Sequence, residues 1–266
     1  MPHSELLDLA TSVATQAAEL VARRRREGVA VADLKSSSVD VVTHADRESE
    51  QLIRSLLAEA RPDDGFFGEE SSATSGSSGL TWVVDPIDGT VNYLYGIANY
   101  AVSIAVVEGE PDPATWRALA GAVVNPGAQE TYTASAGGGS FLNGESLRVA
   151  EAVDLSEALV ATGFSYLKQT RVEQGRVIAG LIPQVRDIRR MGTASLDLCM
   201  VASGRVNACF ERCLQPWDHA AGALIAREAG ALVKGRGNNA EGSDFILAAE
   251  PTVAALLDAA LARLDA

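Results

Sequence analysis

Only three cysteines (Cys199, Cys209, Cys213) and three histidines (His3, His44, His219) occur in the 266-residue chain. The odd cysteine count, with no C-x-x-C pair, argues against a disulfide framework or a thiolate zinc site and favours a reducing compartment. The histidines are too few and too scattered to build a histidine metal site. No apolar run approaches the roughly 20 residues that span a bilayer. Residues 1–20 lack a basic segment followed by an apolar block, so no signal peptide is expected. Positive charge is in deficit as well: 22 Lys and Arg against 35 Asp and Glu leave a formal charge of −13. So acidic a surface repels nucleic acid, and it repels a phosphorylated substrate unless bound cations reverse the local field. The expectation is a cytoplasmic globular protein whose partners include neither nucleic acid nor a membrane. A composition of 47% apolar and 21% charged residues excludes disorder as the main state.

The hydrophobic spacing predicts an amphipathic helix over residues 4–27, closed by the cations Arg23 to Arg26 and stopped by Gly28. A loop-and-strand stretch follows over 29–43, then a helix over 45–60. The low-complexity stretch SSATSGSSG, residues 71–79, is expected as a mobile surface loop. Strands are predicted at 81–85, 100–108, 118–125 and 130–135, the last continuing as a meander past a glycine-rich turn. The second half alternates: helices at 169–181, 194–202, 218–230 and 252–264, and strands at 185–190, 206–210, 231–234 and 245–248. No polar linker separates independent folding units. The expectation is one domain over 1–266, α+β to about residue 145 and α/β from 146.

The most informative stretch is WVVDPIDGT, residues 82–90. A buried strand delivers Asp85 to its carboxyl end, Pro86 turns the chain, and Asp88, Gly89 and Thr90 follow. A helix starting there would aim free N–H groups at an anion beside the two aspartates. Two like charges about 4 Å apart at an effective dielectric near 20 repel by roughly 4 kcal/mol. A hard divalent cation resolves this, and Mg²⁺ suits carboxylates plus a substrate phosphate. The haloacid dehalogenase phosphatases also end a strand in an aspartate, but their two aspartates stand two residues apart and share one phosphate. Here they are three apart with a proline between, which argues for two metal ligands.

WVVDPIDGTVNY resembles the first signature of the inositol monophosphatase family of magnesium-dependent, lithium-sensitive phosphatases. PWDHAAGALIAREAG, residues 216–230, resembles its second signature, and FFGEES, residues 66–71, its third element. Arg189-Arg190-Met191-Gly192-Thr193-Ala194 is similar to the family's substrate loop, and VDVVTHAD, residues 39–46, to its N-terminal element. These occur in family order over nearly the whole chain. The resemblance implies the layered αβαβα sandwich of the inositol monophosphatase and fructose-1,6-bisphosphatase type.

It also implies site roles. Two or three Mg²⁺ would be held by Glu69, Asp85, the Ile87 carbonyl, Asp88 and Asp218, with Glu70 a near neighbour of the site. Asp46 would hydrogen-bond Thr90, the pair orienting the attacking water; from its spacing alone Asp46 is equally a capping-box partner of Thr43. Asp88, Gly89, Thr90, Gly192, Thr193, Ala194, Glu211 and Asp218 would contact substrate, and Lys35 would lie near the metals. Asp218 read alone is a helix N-cap, and His219 reads as structural. Arg212, a bulky basic residue directly after Glu211, departs from many relatives. The implied reaction is direct hydrolysis of myo-inositol monophosphate, a small phosphorylated polyol, in a homodimer. The alternatives are a related sugar-phosphate, fructose-1,6-bisphosphate, histidinol-phosphate or 3′-phosphonucleotide phosphatase, or a non-catalytic regulatory partner that kept the fold.

Overall fold

The computed structural model describes residues 3–29, 31–34, 41–237 and 239–264. The first helix, α1 (Ser4–Glu27), has the predicted bounds and buries one stripe, Ala10, Val13, Ala14, Ala17 and Val21. It ends at Gly28, whose φ of 109° closes the turn. An antiparallel hairpin, β1 (Val31–Leu34) and β2 (Val41–Thr43), leads into α2 (His44–Ala60). Lys35 lies outside the described residues.

The chain then lays down β3 (Gly65–Gly68), β4 (Leu80–Asp88), the short α3 (Thr90–Tyr95), β5 (Ala101–Glu108), β6 (Arg117–Asn125), β7 (Glu130–Ser135), β8 (Gly139–Leu142) and β9 (Glu145–Ser146). These strands form a seven-stranded sheet in sequence order, parallel between β3 and β4 and antiparallel elsewhere. β5 reads AVSIAVVE with no alternation because both its faces are covered, and all but its last residue are buried.

The second half supplies β10 (Leu159–Thr162), α4 (Lys168–Leu181), β11 (Asp187–Arg189), α5 (Ala194–Ala202), β12 (Ala208–Glu211), α6 (Pro216–Glu228), β13 (Leu232–Lys234), β14 (Ile246–Ala249) and α7 (Pro251–Arg263). Its sheet runs β11-β10-β12-β14-β13, with β10 parallel to both β11 and β12 and the other pairs antiparallel. α1 and α2 cover one face of the large sheet, α5 and α6 lie between the sheets, and α4 and α7 cover the far face of the small one. This is the expected αβαβα layering. α5 and α6 are apolar nearly all round because sheet or helix meets every side of them.

Three expectations need correction. β3 and β10, GFFG and LVAT, were not anticipated; four residues are too few for a period to show. The strand expected at 185–190 contracts to β11, and the one expected at 206–210 starts two residues later and ends one later, as β12. The stretch 71–79 is exposed but pinned: Thr74 exchanges backbone hydrogen bonds with Phe66 (2.8 and 2.9 Å), and the Ser77 and Ser78 amides donate to the Asp63 carbonyl (2.8 and 3.0 Å). No helix among the described residues is long and apolar enough to cross a membrane.

Candidate active site

β4 does not stop at Asp85, as the proline suggested. It continues to Asp88 with a bulge between the two aspartates, so Asp88 pairs with Ala101 after Asp85 has paired with Ser103. The bulge carries Pro86, which has no N–H to give the ladder. Both carboxyls end in the interior, 2% and 8% exposed. The Ile87 amide donates to Asp85 Oδ1 (3.0 Å). Ser195, in the first turn of α5, donates its amide and hydroxyl to Asp88 Oδ2 (2.7 and 2.6 Å). Asp88 thus ties the large sheet to the N-terminus of a helix 107 residues later, where a negative charge is favoured.

Glu69, Asp85, Ile87, Asp88, Gly89, Thr90, Gly192, Thr193, Ala194, Glu211 and Asp218 all line one cavity of about 440 Å³ between the two halves. Glu70 is not on its wall; its amide donates to Glu50 Oε2 (2.8 Å), and Ser71 Oγ donates to the other oxygen of that carboxylate. Glu50, 3% exposed on α2, therefore fixes the loop that carries Glu69. Asp218 is the third residue of α6, not its cap. Gln215 is the cap, and its amide donates to Asp218 Oδ2 (2.6 Å).

Asp46 sits behind the cavity wall, fully buried. Its two oxygens divide the two readings made from sequence. Oδ2 accepts from the Thr43 amide (2.8 Å) and hydroxyl as a capping box, and Oδ1 accepts from Thr90 Oγ1 (3.0 Å). The Ile87 carbonyl is a second acceptor for the Thr90 hydroxyl at 3.0 Å. Gly89 makes the joint between β4 and α3: its φ is 90°, and a Cβ there would stand 2.5 Å from Thr193 Oγ1.

The acids raise one another. Burial, then Glu69, Asp88 and Asp218, push the Asp85 carboxyl well above the usual range. Burial, then Asp88 and Glu69, do the same to Asp218. Burial lifts Asp88 to about 6 against the hydrogen bonds from Ser195 and Ala194. Glu211 rises to about 8 through burial, Asp197 and Asp88, with Arg190 opposing. Among the described residues no three carboxyl, histidine or cysteine side chains converge as a finished metal cage. The aspartates bond N–H groups of Ile87, Ser195 and Gln215 instead. The set nevertheless fits a hard cation: four carboxyls lining one cavity, two of them almost fully enclosed, whose mutual repulsion a divalent charge would relieve.

Several residues that shape the site were not anticipated. Asn92 Nδ2 donates to the Asn99 and Met191 carbonyls (2.7 and 2.8 Å), and Asn99 Nδ2 to Thr193 Oγ1 (3.1 Å), locking the 191–193 loop over Gly89. Asn92 lies just two residues past Thr90, so its proximity could have flagged it. Ser195 and Glu50 carry no local signal. His219 is fully buried with neither ring nitrogen hydrogen-bonded, and burial lowers its pKa to about 4, in keeping with a structural role.

The model of the inositol monophosphatase family matches residues 3–264. An inositol-1-monophosphatase SuhB of Mycobacterium tuberculosis is 42% identical, over 98% of this chain and 95% of that protein. A Nus factor SuhB of Pasteurella multocida is 41% identical, over 86% of this chain and 84% of its own length. The solved extragenic suppressor protein suhB of Bartonella henselae superposes with a TM-score of 0.88 at 35% identity, covering 97% of this chain and 98% of that one.

Proposed function

The chain belongs to the inositol monophosphatase family, and from that premise we propose that it is a Mg²⁺-dependent phosphomonoesterase that hydrolyses myo-inositol monophosphate to inositol and phosphate. The observation that carries this reading is the gathering of Glu69, Asp85, Asp88 and Asp218 around one cavity that Thr90 also lines, close enough to raise one another's carboxyls. In it, Glu69, Asp85, the Ile87 carbonyl, Asp88 and Asp218 would hold the two or three Mg²⁺ ions. Bound there, the cations neutralise phosphoryl charge, generate a nucleophile from water near neutral pH and stabilise the leaving oxygen.

The chain's own groups orient the reactants. Asp46 holds the Thr90 hydroxyl, so an oxygen lone pair of Thr90 is left to accept from the attacking water. The amides of Gly89 and Thr90 face the phosphoryl oxygens. Glu211, holding its proton near neutral pH, bonds ring hydroxyls, with Gly192, Thr193 and Ala194 lining the same pocket. We read the protein as one catalytic unit, cytoplasmic and homodimeric. The test is Mg²⁺-dependent phosphate release from myo-inositol 1-phosphate. Asp88→Asn should abolish it with the circular dichroism spectrum retained, and near-full turnover in that variant would remove the proposal.

A second reading is favoured by one observation, the name Nus factor carried by a relative of 41% identity: a regulatory protein that keeps the fold and acts by binding a partner. Failure of every phosphate ester to release phosphate in Mg²⁺ would select it.

A further inference from the structure

Three polar side chains on one face of α2 are buried: Asp46, Ser49 and Glu50, spaced i, i+3 and i+4 and at most 3% exposed. Asp46 reaches Thr90, and Glu50 reaches the Glu70–Ser71 loop. Ser49 lies between them. A serine inside a helix commonly returns its hydroxyl to the carbonyl four residues back, as Ser55 does to Gln51 (2.8 Å) and Ser203 to Cys199 (2.9 Å). Ser49 instead sends its hydroxyl across 37 residues to donate to the Pro86 carbonyl (3.2 Å). Pro86 is buried in the bulge of β4, between the Asp85–Ser103 and Asp88–Ala101 pairs. A buried carbonyl at a break in the ladder still needs a donor, and Ser49 brings one from outside the sheet. The other end of the same peptide unit is the Ile87 amide, which donates to Asp85 Oδ1 (3.0 Å). A peptide unit is planar, so these two bonds hold one rigid plate. Rotating it to release Ser49 also swings the Ile87 N–H away from the Asp85 carboxyl.

We propose that Ser49 is a positioning residue for cation binding: through the Pro86–Ile87 peptide it fixes the orientation of the Asp85 carboxyl. Ser49 does not line the cavity, so it acts only through that peptide. This rests on the reading of the acids as a Mg²⁺ site.

The experiment is calorimetric titration of Mg²⁺ into chelator-stripped wild type, Ser49→Ala, Ser49→Cys and Ser203→Ala, each well below its own melting temperature. Alanine suits a helix and removes only the hydroxyl. Ser49→Ala should raise the Mg²⁺ dissociation constant about tenfold, as loss of a group that orients a ligand does. Ser49→Cys keeps a weak donor in nearly the same volume and should weaken binding less; because it fills the site, it repeats the test without leaving a gap. Ser203→Ala removes a hydroxyl bonded within its own helix and should leave the constant unchanged. Melting temperatures are read on the same samples. Variants of Ser49 that melt lower yet bind Mg²⁺ as the wild type does would show a merely structural serine, which overturns the proposal and leaves the Mg²⁺ reading standing. No saturable binding in the wild type overturns both.

Discussion

In the chelator-stripped protein, Glu211 should make stability fall as pH rises. Its carboxyl stands at about 8 in the fold against an ordinary 4.5, mainly through burial. A group raised above its unfolded value stabilises fully below the unfolded pKa, and that stabilisation is lost as pH climbs through the folded one. Between pH 6.5 and 8 the loss from Glu211 is about 1.2 units, or about 1.6 kcal/mol. An unfolding entropy of roughly 2.1 cal/mol/K per residue makes that about 3 °C in melting temperature for a chain of this length. The window is chosen with His219 in mind. Its pKa is lowered to about 4 from 6.5, so its contribution is already complete above pH 6.5 and shrinks only on acidification. Asp85, Asp197 and Asp218 are also raised, so they slope the same way as Glu211, and a substitution is needed to separate them. Between pH 6.5 and 8.0 the calorimetric melting temperature should fall about 3 °C more in the wild type than in Glu211→Gln. Equal slopes in the two proteins would refute the argument that burial and the neighbouring acids outweigh Arg190 at this carboxyl.

Two substitutions follow from the hydrogen bonds around the cavity. Thr90→Val removes the hydroxyl that Asp46 orients and should lower kcat by about 10²–10³ with a small change in KM, read by steady-state phosphate release. Glu50→Gln weakens the acceptor that anchors the Glu70 amide and Ser71 hydroxyl, and should raise the Mg²⁺ concentration for half-maximal activity by about tenfold, since groups that orient a ligand typically set 10–100-fold in metal affinity.

The site was legible in sequence where its parts are local. WVVDPIDGT put Asp85, Asp88 and Thr90 within one strand and turn, and their common place in the cavity lining needs only the path of β4. What could not be read were pairings across long separations. Asp88 finds Ser195 and Asn92 finds Met191 only after two sheets have folded around α5 and α6. The Asp46 ambiguity dissolved because a carboxylate has two oxygens, and the Thr43 cap and the Thr90 hydroxyl use one each. The fold was legible where periodicity had length to show, as in α1. It failed at β3 and β10, and at the Ser-rich stretch 71–79, whose composition says nothing of the backbone carbonyls on Asp63 and Phe66 that hold it.

The central claim is that these acids hold cations which make them a phosphate-cleaving centre, and calorimetric titration of Mg²⁺ into chelator-stripped protein addresses it directly. The account predicts saturable binding at neutral pH that Asp85→Asn, at the most enclosed carboxyl of the cluster, removes together with phosphate release. Mg²⁺ binding of undiminished affinity in that variant would contradict it.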